Sequence, residues 1–345
     1  MNKELAKYLK ETGNIGSLAN RCAKGKFDSP FPCDPKDVFS TQVSGLVTRL
    51  KRTGIKSVTI GISGGLDSTL CLLVSYSAFR ALKLPSANIH AYTMPGFGTT
   101  KRTKGNADKL CEGLGVKLET INITKACRQH FKDIGHDGKT PDVTFENAQA
   151  RMRTLILMDK ANMTGGIVLG TGDLSEIALG WCTYNGDHMS MFGVNSGVPK
   201  TVVRKVCDWW ADETLKEPNH FGALKDSKKA ALAIKDIIAT PVSPELIKGQ
   251  ITENNIGPYE LHDFFIWNFI MNGLDKKALL AAAKQFFKGT YDLATIKNTL
   301  GKFLYRLVAQ AFKRNCAPDG IRVFPFDFSP TSWHIPSDLP PTALL

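Results

Sequence analysis

The stretch SGGLDS, at Ser63–Ser68, combines groups that bind an anion with one that repels it. Its two glycines allow a sharp turn and leave room for a large anion beside the backbone. If a helix begins after them, its free N–H groups and positive dipole end face that anion, and the serines add hydroxyl donors. Asp67 would repel a phosphate unless a cation such as Mg²⁺ lies between them. The stretch therefore predicts a site for phosphate and Mg²⁺; the alternative is that Asp67 merely caps a helix.

A second group of polar residues follows the apolar segment GIVL. Thr171, Asp173 and Glu176 come soon after this segment, although the last two also have the spacing of a helix capping box. Asp187 and Lys200 follow in Gly- and Asn-rich loops, where a charged group has no structural necessity. We expect Glu176 and the aspartate of SGGLDS to offer two carboxylates to Mg²⁺, and Lys200 to add a positive charge for the phosphates.

Apolar segments rich in β-branched residues alternate with segments of helical periodicity in the first 170 residues. The predicted strands are Ser57–Ile62, Asn88–Met94, Lys117–Ile123 and Gly166–Leu169, and the predicted helices are Val38–Lys51, Asp67–Lys83, Ala107–Leu114, Lys125–Asp133 and Phe145–Met163. This alternation predicts an α/β fold with a doubly wound parallel sheet. Both polar groups then lie at carboxyl ends of strands, where such sheets bind ligands.

The sequence after Lys200 is predicted to be mainly helical. The predicted helices are Thr201–Leu215, Lys228–Ala239, Tyr259–Met271, Lys276–Lys288 and Thr295–Arg314. Two stretches, PGFGTTKRTKGN and PELIKGQITENN, have the composition of mobile loops that could close over the site, and the tail from Ala317 is predicted to be irregular. We therefore divide the chain into a lead-in at 1–40 and one domain at 41–345, with a helical C-terminal extension from about 201.

Composition limits the classes of protein that fit. The chain has 345 residues, 43% of them hydrophobic and 22% charged, which is ordinary for a soluble globular protein. We find no signal peptide and no apolar run of membrane-spanning length, so we expect a cytoplasmic protein without a membrane partner. Eight cysteines lie singly and are expected to be reduced. The net charge of +12 comes without basic runs interleaved with aromatic residues, which favours a basic surface over nucleic-acid binding.

The SGGLDS stretch is neither a Walker A loop nor a G-x-G-x-x-G motif. It resembles the pyrophosphate loop of the N-type ATP pyrophosphatases, which have an adenine nucleotide alpha hydrolase-like fold. The blocks GISGGLDSTL, MPGFGTT, ENAQARMRTLILMDKAN, GTGDLSEIALGWCTYNGDHMSMFGVN, VPKT and GPYELHDFF resemble NAD synthase, and in particular the synthetase part of the glutamine-dependent type. This resemblance runs from about Asp28 to Asp338.

The resemblance implies a ligase that converts nicotinic acid adenine dinucleotide (deamido-NAD), ATP and ammonia into NAD, AMP and pyrophosphate. It also implies the following roles: ATP binding by Ser63, Gly64, Gly65, Asp67, Ser68, Thr171 and Lys200; Mg²⁺ binding by Asp67 and Glu176; catalysis by Asp187 and Lys200; and deamido-NAD binding by Arg151, Asp187, Glu253 and Lys313. Asp187 is expected near the reacting carboxylate and the incoming ammonia. Arg151 is expected to reach the dinucleotide across the interface of a homodimer.

The glutamine-dependent enzymes carry a glutaminase domain ahead of the synthetase, and the 56 residues before the first predicted strand are too few for it. We therefore expect free ammonia as the donor, a separate glutaminase as a partner, or a truncated form of a longer chain. Two other functions fit the sequence less well. A tRNA-modifying pyrophosphatase commonly needs paired cysteines, which the sequence lacks. An inactive nucleotide-binding subunit would be expected to lose Asp67, Glu176 or Lys200, and all three are present.

Overall fold

The protein is described from a computed structural model, which covers Phe31 and residues 33–243, 246–247 and 252–345. Most of the predicted lead-in and part of the stretch PELIKGQITENN therefore lie outside the described residues. Within the described ranges, every helix is too short or too polar to cross a membrane.

The described residues form a five-stranded parallel sheet in the order β3-β2-β1-β4-β5. The strands are β1 (Val58–Gly61), β2 (Ile89–Thr93), β3 (Leu118–Thr120), β4 (Ile167–Gly170) and β5 (Phe192–Gly193). The chain passes from β1 to β2 and β3 on one side and then continues with β4 and β5 on the other. The strand order thus reverses between β1 and β4, and ligands of such sheets bind beyond the carboxyl ends of strands at that point. The predicted doubly wound α/β fold is confirmed.

Helices surround this sheet and make up most of the C-terminal part of the chain. They are α1 (Pro35–Thr53), α2 (Leu66–Ala81), α3 (Lys101–Leu114), α4 (Thr124–Asp133), α5 (Val143–Thr164), α6 (Leu174–Leu179), α7 (Lys200–Lys216), α8 (Ser227–Ile238), α9 (Thr252–Ile256), α10 (Tyr259–Asn272), α11 (Lys276–Phe286), α12 (Leu293–Ala309) and α13 (Ala311–Arg314). The apolar residues of β1 and α2 are almost all buried, which matches their continuous hydrophobic sequence. The main core extends from these two elements through α7, α10 and α12.

Several predicted boundaries were wrong because local capping chemistry decides where a helix begins. The helix predicted at Ala107 begins at Lys101, since the Thr100 side chain accepts a hydrogen bond from Thr103 N. Half of the predicted loop PGFGTTKRTKGN is therefore helical. The prediction also missed α6, α9 and β5, which are too short to show a clear period. The last predicted helix is interrupted at Gln310, between α12 and α13.

The tail from Ala317 is irregular, as predicted, but its aromatic residues belong to the core. Phe324 is fully buried, and its ring centroid lies 5.0 Å from that of Phe31 in an edge-to-face arrangement. Phe31 makes the same kind of contact with Trp267 of α10. Such aromatic contacts stabilise a core beyond their buried area. Phe31, which we assigned to the lead-in, thus packs in the core of the domain.

Candidate active site

The loop between β1 and α2 has a backbone that only glycine fits at one position. Gly64 has a φ of +86°, a region that other residues rarely adopt. A Cβ atom there would lie 2.1 Å from the carbonyl oxygen of Thr103. Gly64 therefore lets the loop pass directly against α3, as the turn predicted from the sequence requires.

The same loop leaves the start of α2 without a side-chain cap among the described residues. Gly65 is the N-cap residue, and its N–H donates to Ser63 Oγ over 3.1 Å. The hydroxyls of Ser63 and Ser68 lie 3.2 Å apart at the helix start. The alternative that Asp67 caps this helix is wrong, because Asp67 lies inside the first turn and Gly65 occupies the capping position. Helix N–H groups and two hydroxyls thus meet at the carboxyl end of β1, which is an arrangement suited to an anion.

The ammonium group of Lys200 joins the ends of β1 and β4. Its Nζ lies 2.6 Å from Oδ2 of Asp67, which follows β1. It also lies 2.8 Å from Oδ2 of Asp173 and 3.0 Å from Oε1 of Glu176, which both follow β4. Only 4% of the Lys200 side chain is exposed. We call these four residues the carboxylate cluster.

Asp173 has a structural role and a place in the cluster at once. Its Oδ1 accepts a hydrogen bond from Glu176 N over 2.8 Å, so the capping box predicted as an alternative is confirmed at the start of α6. Its Oδ2 faces Lys200. Because one oxygen caps the helix and the other contacts the ammonium, the capping box orients the carboxylate towards the cluster.

Burial dominates the electrostatics of the cluster. Burial raises the pKa of Asp173 well above its usual value, and it raises the pKa of Glu176 to about 7, although Lys200 opposes both shifts. For Lys200, burial lowers the pKa, but the neighbouring carboxylates outweigh it and raise the pKa well above its usual value. With all four groups ionised, three carboxylates face one ammonium and the net charge is −2. A second cation would relieve this excess.

The cluster fits a divalent cation. The carboxylate oxygens of Asp67, Asp173 and Glu176 lie within 4.8 Å of one another. Oδ1 of Asp67 is buried and has no hydrogen-bond partner in the described part of the chain. Carboxylate oxygen is the ligand type that Mg²⁺ prefers. The predicted pair of metal ligands is therefore adjacent in the structure, and Asp173 accompanies it.

The polar network that holds the two strand ends together was not recognised from the sequence. The buried side chain of Asn195 donates to the carbonyl oxygens of Asp67 and Thr171, over 2.8 and 3.0 Å. Gln42 of α1 donates in turn to Asn195 Oδ1 over 3.0 Å. These bonds join segments 24 to 153 residues apart. The signal in the sequence was only an Asn in a Gly-rich loop.

Glu253 and Tyr259 bring the C-terminal helices to the cluster. The Glu253 carboxylate accepts a hydrogen bond from Tyr259 N over 3.0 Å at the start of α10. Lys200 Nζ lies 5.2 Å from the centre of the Tyr259 ring. Glu253 thus accepts a hydrogen bond from the first residue of α10. Its contact with deamido-NAD stays a prediction.

A cleft beside the cluster contains two more of the predicted residues. Glu176, Asp187 and Lys313 line it together with residues of the C-terminal tail. Asp187 Oδ1 accepts from Thr183 N over 2.7 Å, and crowding by protein atoms nevertheless raises its pKa. Lys313 Nζ donates to the carbonyl oxygens of Gly180 and Cys182, over 2.9 and 2.6 Å, and burial lowers its pKa. The cleft therefore places a carboxylate and an ammonium next to the cluster.

Arg151 does not line this cleft. It lies exposed on α5, and its Nε donates to the carbonyl oxygen of Tyr184 over 3.2 Å. This hydrogen bond ties the Arg151 guanidinium to the backbone of the segment that follows α6.

Comparison with known proteins decides the family. The family model of NAD synthase matches residues 38–288. The chain belongs to the NAD synthase family. It is 38% identical over 347 residues to the glutamine-dependent NAD(+) synthetase of Mycobacterium tuberculosis, covering 90% of this chain and 50% of that protein. It is 30% identical over 288 residues to the Thermotoga maritima protein of the same name, covering 82% of this chain and 46% of that one.

Solved structures of the NAD synthase family share the fold. The glutamine-dependent NAD(+) synthetase of Cytophaga hutchinsonii superposes with a TM-score of 0.71 at 18% identity, covering 90% of this chain and 55% of that one. The Acinetobacter baumannii enzyme of the same type, solved with ADP, gives a TM-score of 0.52 at 22% identity, covering 90% of this chain and 51% of that one. The chain thus spans about half the length of the curated relatives it matches.

Proposed function

We propose that this protein amidates deamido-NAD to NAD, with ATP cleaved to AMP and pyrophosphate and with ammonia as the nitrogen donor. The observation that carries the proposal is the carboxylate cluster beside the Gly64 loop, at the point where the strand order of the sheet reverses. Membership of the NAD synthase family supplies the class of reaction. Neither a tRNA-modifying enzyme nor an inactive subunit accounts for both observations.

ATP would lie on the loop that follows β1. The N–H groups at the start of α2 and the hydroxyls of Ser63 and Ser68 would bind its phosphates, with Thr171 at the end of β4 also in contact. Binding of ADP by the Acinetobacter baumannii relative supports an adenine nucleotide as ligand. Asp67, Glu176 and Asp173 would hold Mg²⁺, which offsets negative charge on phosphate oxygens when bound.

Lys200 also makes contacts that were not predicted. Its ammonium contacts three carboxylates in the described structure, and this compensates their charge and fixes their positions. A contact with the ATP phosphates remains part of the proposal, since a phosphate beside the cluster would approach the same ammonium.

Adenylation makes the nicotinate carboxylate of deamido-NAD reactive. A carboxylate oxygen of deamido-NAD attacks the α-phosphorus of ATP and releases pyrophosphate, so the oxygen leaves later with AMP instead of as oxide. Ammonia then attacks the acyl carbon, and AMP departs with the bonding electron pair. Asp187, whose pKa is raised by the surrounding protein, would bind ammonium and accept a proton from it. Lys313 would face negative charge at the nicotinate end.

The remaining assignments rest on the family resemblance. Arg151 and Glu253 would contact deamido-NAD, Arg151 across the interface of a homodimer. The protein would act in the cytoplasm, and a separate glutaminase could supply its ammonia. The curated relatives are named for their dependence on glutamine, so the choice of ammonia as nitrogen donor is the part of the proposal that goes furthest beyond the comparisons.

The test is NAD formation from deamido-NAD, ATP and Mg²⁺, with ammonium or glutamine supplied in parallel. We expect NAD, AMP and pyrophosphate in equal amounts with ammonium, and none with ammonia-free glutamine. Asp67→Asn is expected to lose the activity. Asp212→Asn, which alters a half-exposed carboxylate paired with Lys235, is the matched control and should retain it. Absence of NAD with ammonium while ATP still binds would refute the proposal, and product from glutamine alone would refute the choice of donor.

A further inference from the structure

Asp263, on α10, is a fully buried carboxylate outside the carboxylate cluster. Its Oδ2 accepts hydrogen bonds from Thr201 N over 2.9 Å and from Thr201 Oγ1 over 2.7 Å. Its Oδ1 accepts a hydrogen bond from the hydroxyl of Ser175, on α6. A buried charge is costly unless it is paired or well hydrogen-bonded, so this site is built around an ionised Asp263.

Ser175 extends this network to Lys200. The Ser175 hydroxyl, which donates to Asp263, accepts a hydrogen bond from the backbone N–H of Lys200 over 3.0 Å. A hydroxyl can donate one hydrogen bond and accept others, so both contacts coexist. Asp263 is therefore linked to the backbone of Lys200 through one hydroxyl, and to the next residue directly.

These contacts replace the cap that α7 lacks. Lys200 is the first residue of α7, and the N-cap residue, Pro199, makes no side-chain capping bond within the described chain. The first N–H groups of a helix have no partner inside the helix, and negative charge is favourable beside them. Asp263 supplies the acceptors and the charge from another helix, and Ser175 completes the set.

We propose that Asp263 is a positioning residue: by capping α7 from α10, it fixes the backbone of Lys200 and hence the place of the ammonium among the three carboxylates. The proposal rests on the proposed function for its effect on catalysis, but the placement of Lys200 can be measured without it. The hydrogen bonds of Asp263 couple α6, α7 and α10 to the carboxylate cluster between β1 and β4. Correct geometry at the cluster would then depend on the C-terminal helices.

The principal variant is Asp263→Asn, which keeps the shape but turns one acceptor into an N–H₂ donor. When the N–H₂ group of this Asn faces Thr201, it meets another donor, the Thr201 N–H, and no hydrogen bond can form between them. Loss of a partner that orients a site residue typically costs about 10- to 100-fold in activity or metal affinity. We expect a fall of this size in kcat, with a smaller change in the KM for ATP. Thr201→Val should give a change of several-fold in the same direction, and Thr201→Ser should restore normal activity.

The first readout is acylation of lysines at pH 8, followed by mass spectrometry. Lys200 is 4% exposed and should be strongly protected in the unaltered protein. In Asp263→Asn its labelling rate should rise at least about threefold as α7 opens at its start. Exposed Lys277 is the internal reference. The control is Asp275→Asn, which makes the same exchange at the aspartate that caps α11 and should leave Lys200 protected.

These outcomes separate the two proposals. Increased Lys200 labelling in Asp263→Asn supports the positioning role even if the chain makes no NAD. Unchanged labelling of Lys200 in a folded Asp263→Asn protein overturns the role, whatever happens to activity. If Asp263→Asn does not fold, Ser175→Ala and Thr201→Val take its place. Unchanged labelling and kcat in both of these variants would also overturn it.

Discussion

Replacing Lys200 with Met should destabilise the protein far more than the same replacement of a surface lysine with similar contacts. Lys200 Nζ has three carboxylate oxygens within 3.0 Å, and its side chain is 4% exposed. Removing one partner of a buried ion pair costs about 3–5 kcal/mol, because the remaining charge stays buried. Here the cluster would change from −2 to −3 with all carboxylates ionised. We therefore expect Lys200→Met to lower the free energy of unfolding by about 3–5 kcal/mol at neutral pH.

The matched control is Lys235→Met. Lys235 Nζ lies 2.6 Å from both Asp208 and Asp212, but its side chain is 33% exposed and theirs are nearly half exposed. Exposed ion pairs contribute roughly 0–1 kcal/mol, so this variant should change stability little. Urea unfolding followed by tryptophan fluorescence measures both variants, with and without Mg²⁺. Mg²⁺ should recover part of the loss in Lys200→Met. Equal losses in the two variants would refute the reasoning about burial.

Three further predictions concern the loop, the network and a buried histidine. Gly64→Ala should abolish ATP binding, measured by calorimetry, because the added Cβ would clash with the carbonyl oxygen of Thr103. Gly105→Ala is the control: its added Cβ has open space around it, so this variant should bind ATP normally. Asn195→Ala leaves two partly buried carbonyl oxygens without their donor and should lower the free energy of unfolding in urea by ~2 kcal/mol. Burial lowers the pKa of His262 from 6.5 to about 4, so its contribution to stability is complete above pH 6.5 and is lost as the pH falls towards 4. The stability of His262→Gln should therefore fall less between pH 7 and pH 5 than that of the unaltered protein, and equal falls would contradict this assignment.

The elements that could be predicted from the sequence are those with long, regular patterns. The hydrophobic run of β1 and the helical spacing of α2 placed the SGGLDS loop at a strand end, as observed. The topology of a doubly wound sheet then brings Asp67 and Glu176 together, because both follow strands that are neighbours at the reversal of strand order. The contact between them and Lys200 follows from the fold.

Other parts of the site depend on partners far apart in the sequence. Asp263 contacts Thr201 across 62 residues, and Gln42 contacts Asn195 across 153. No local spacing marks such pairs, since each residue alone resembles an ordinary polar position in a helix or loop. The same holds for Phe31, whose partners Trp267 and Phe324 are more than two hundred residues away. Tertiary packing decides these contacts, and the sequence pattern does not encode them.

The most direct test of the central claim follows one oxygen atom. Deamido-NAD labelled with ¹⁸O in its nicotinate carboxylate is converted with ATP, Mg²⁺ and ammonium, and the products are analysed by mass spectrometry. If the carboxylate attacks the α-phosphorus, one ¹⁸O from each labelled molecule leaves in AMP, while pyrophosphate stays unlabelled. Label in inorganic phosphate or pyrophosphate, or AMP without label, would contradict activation by adenylation at this site.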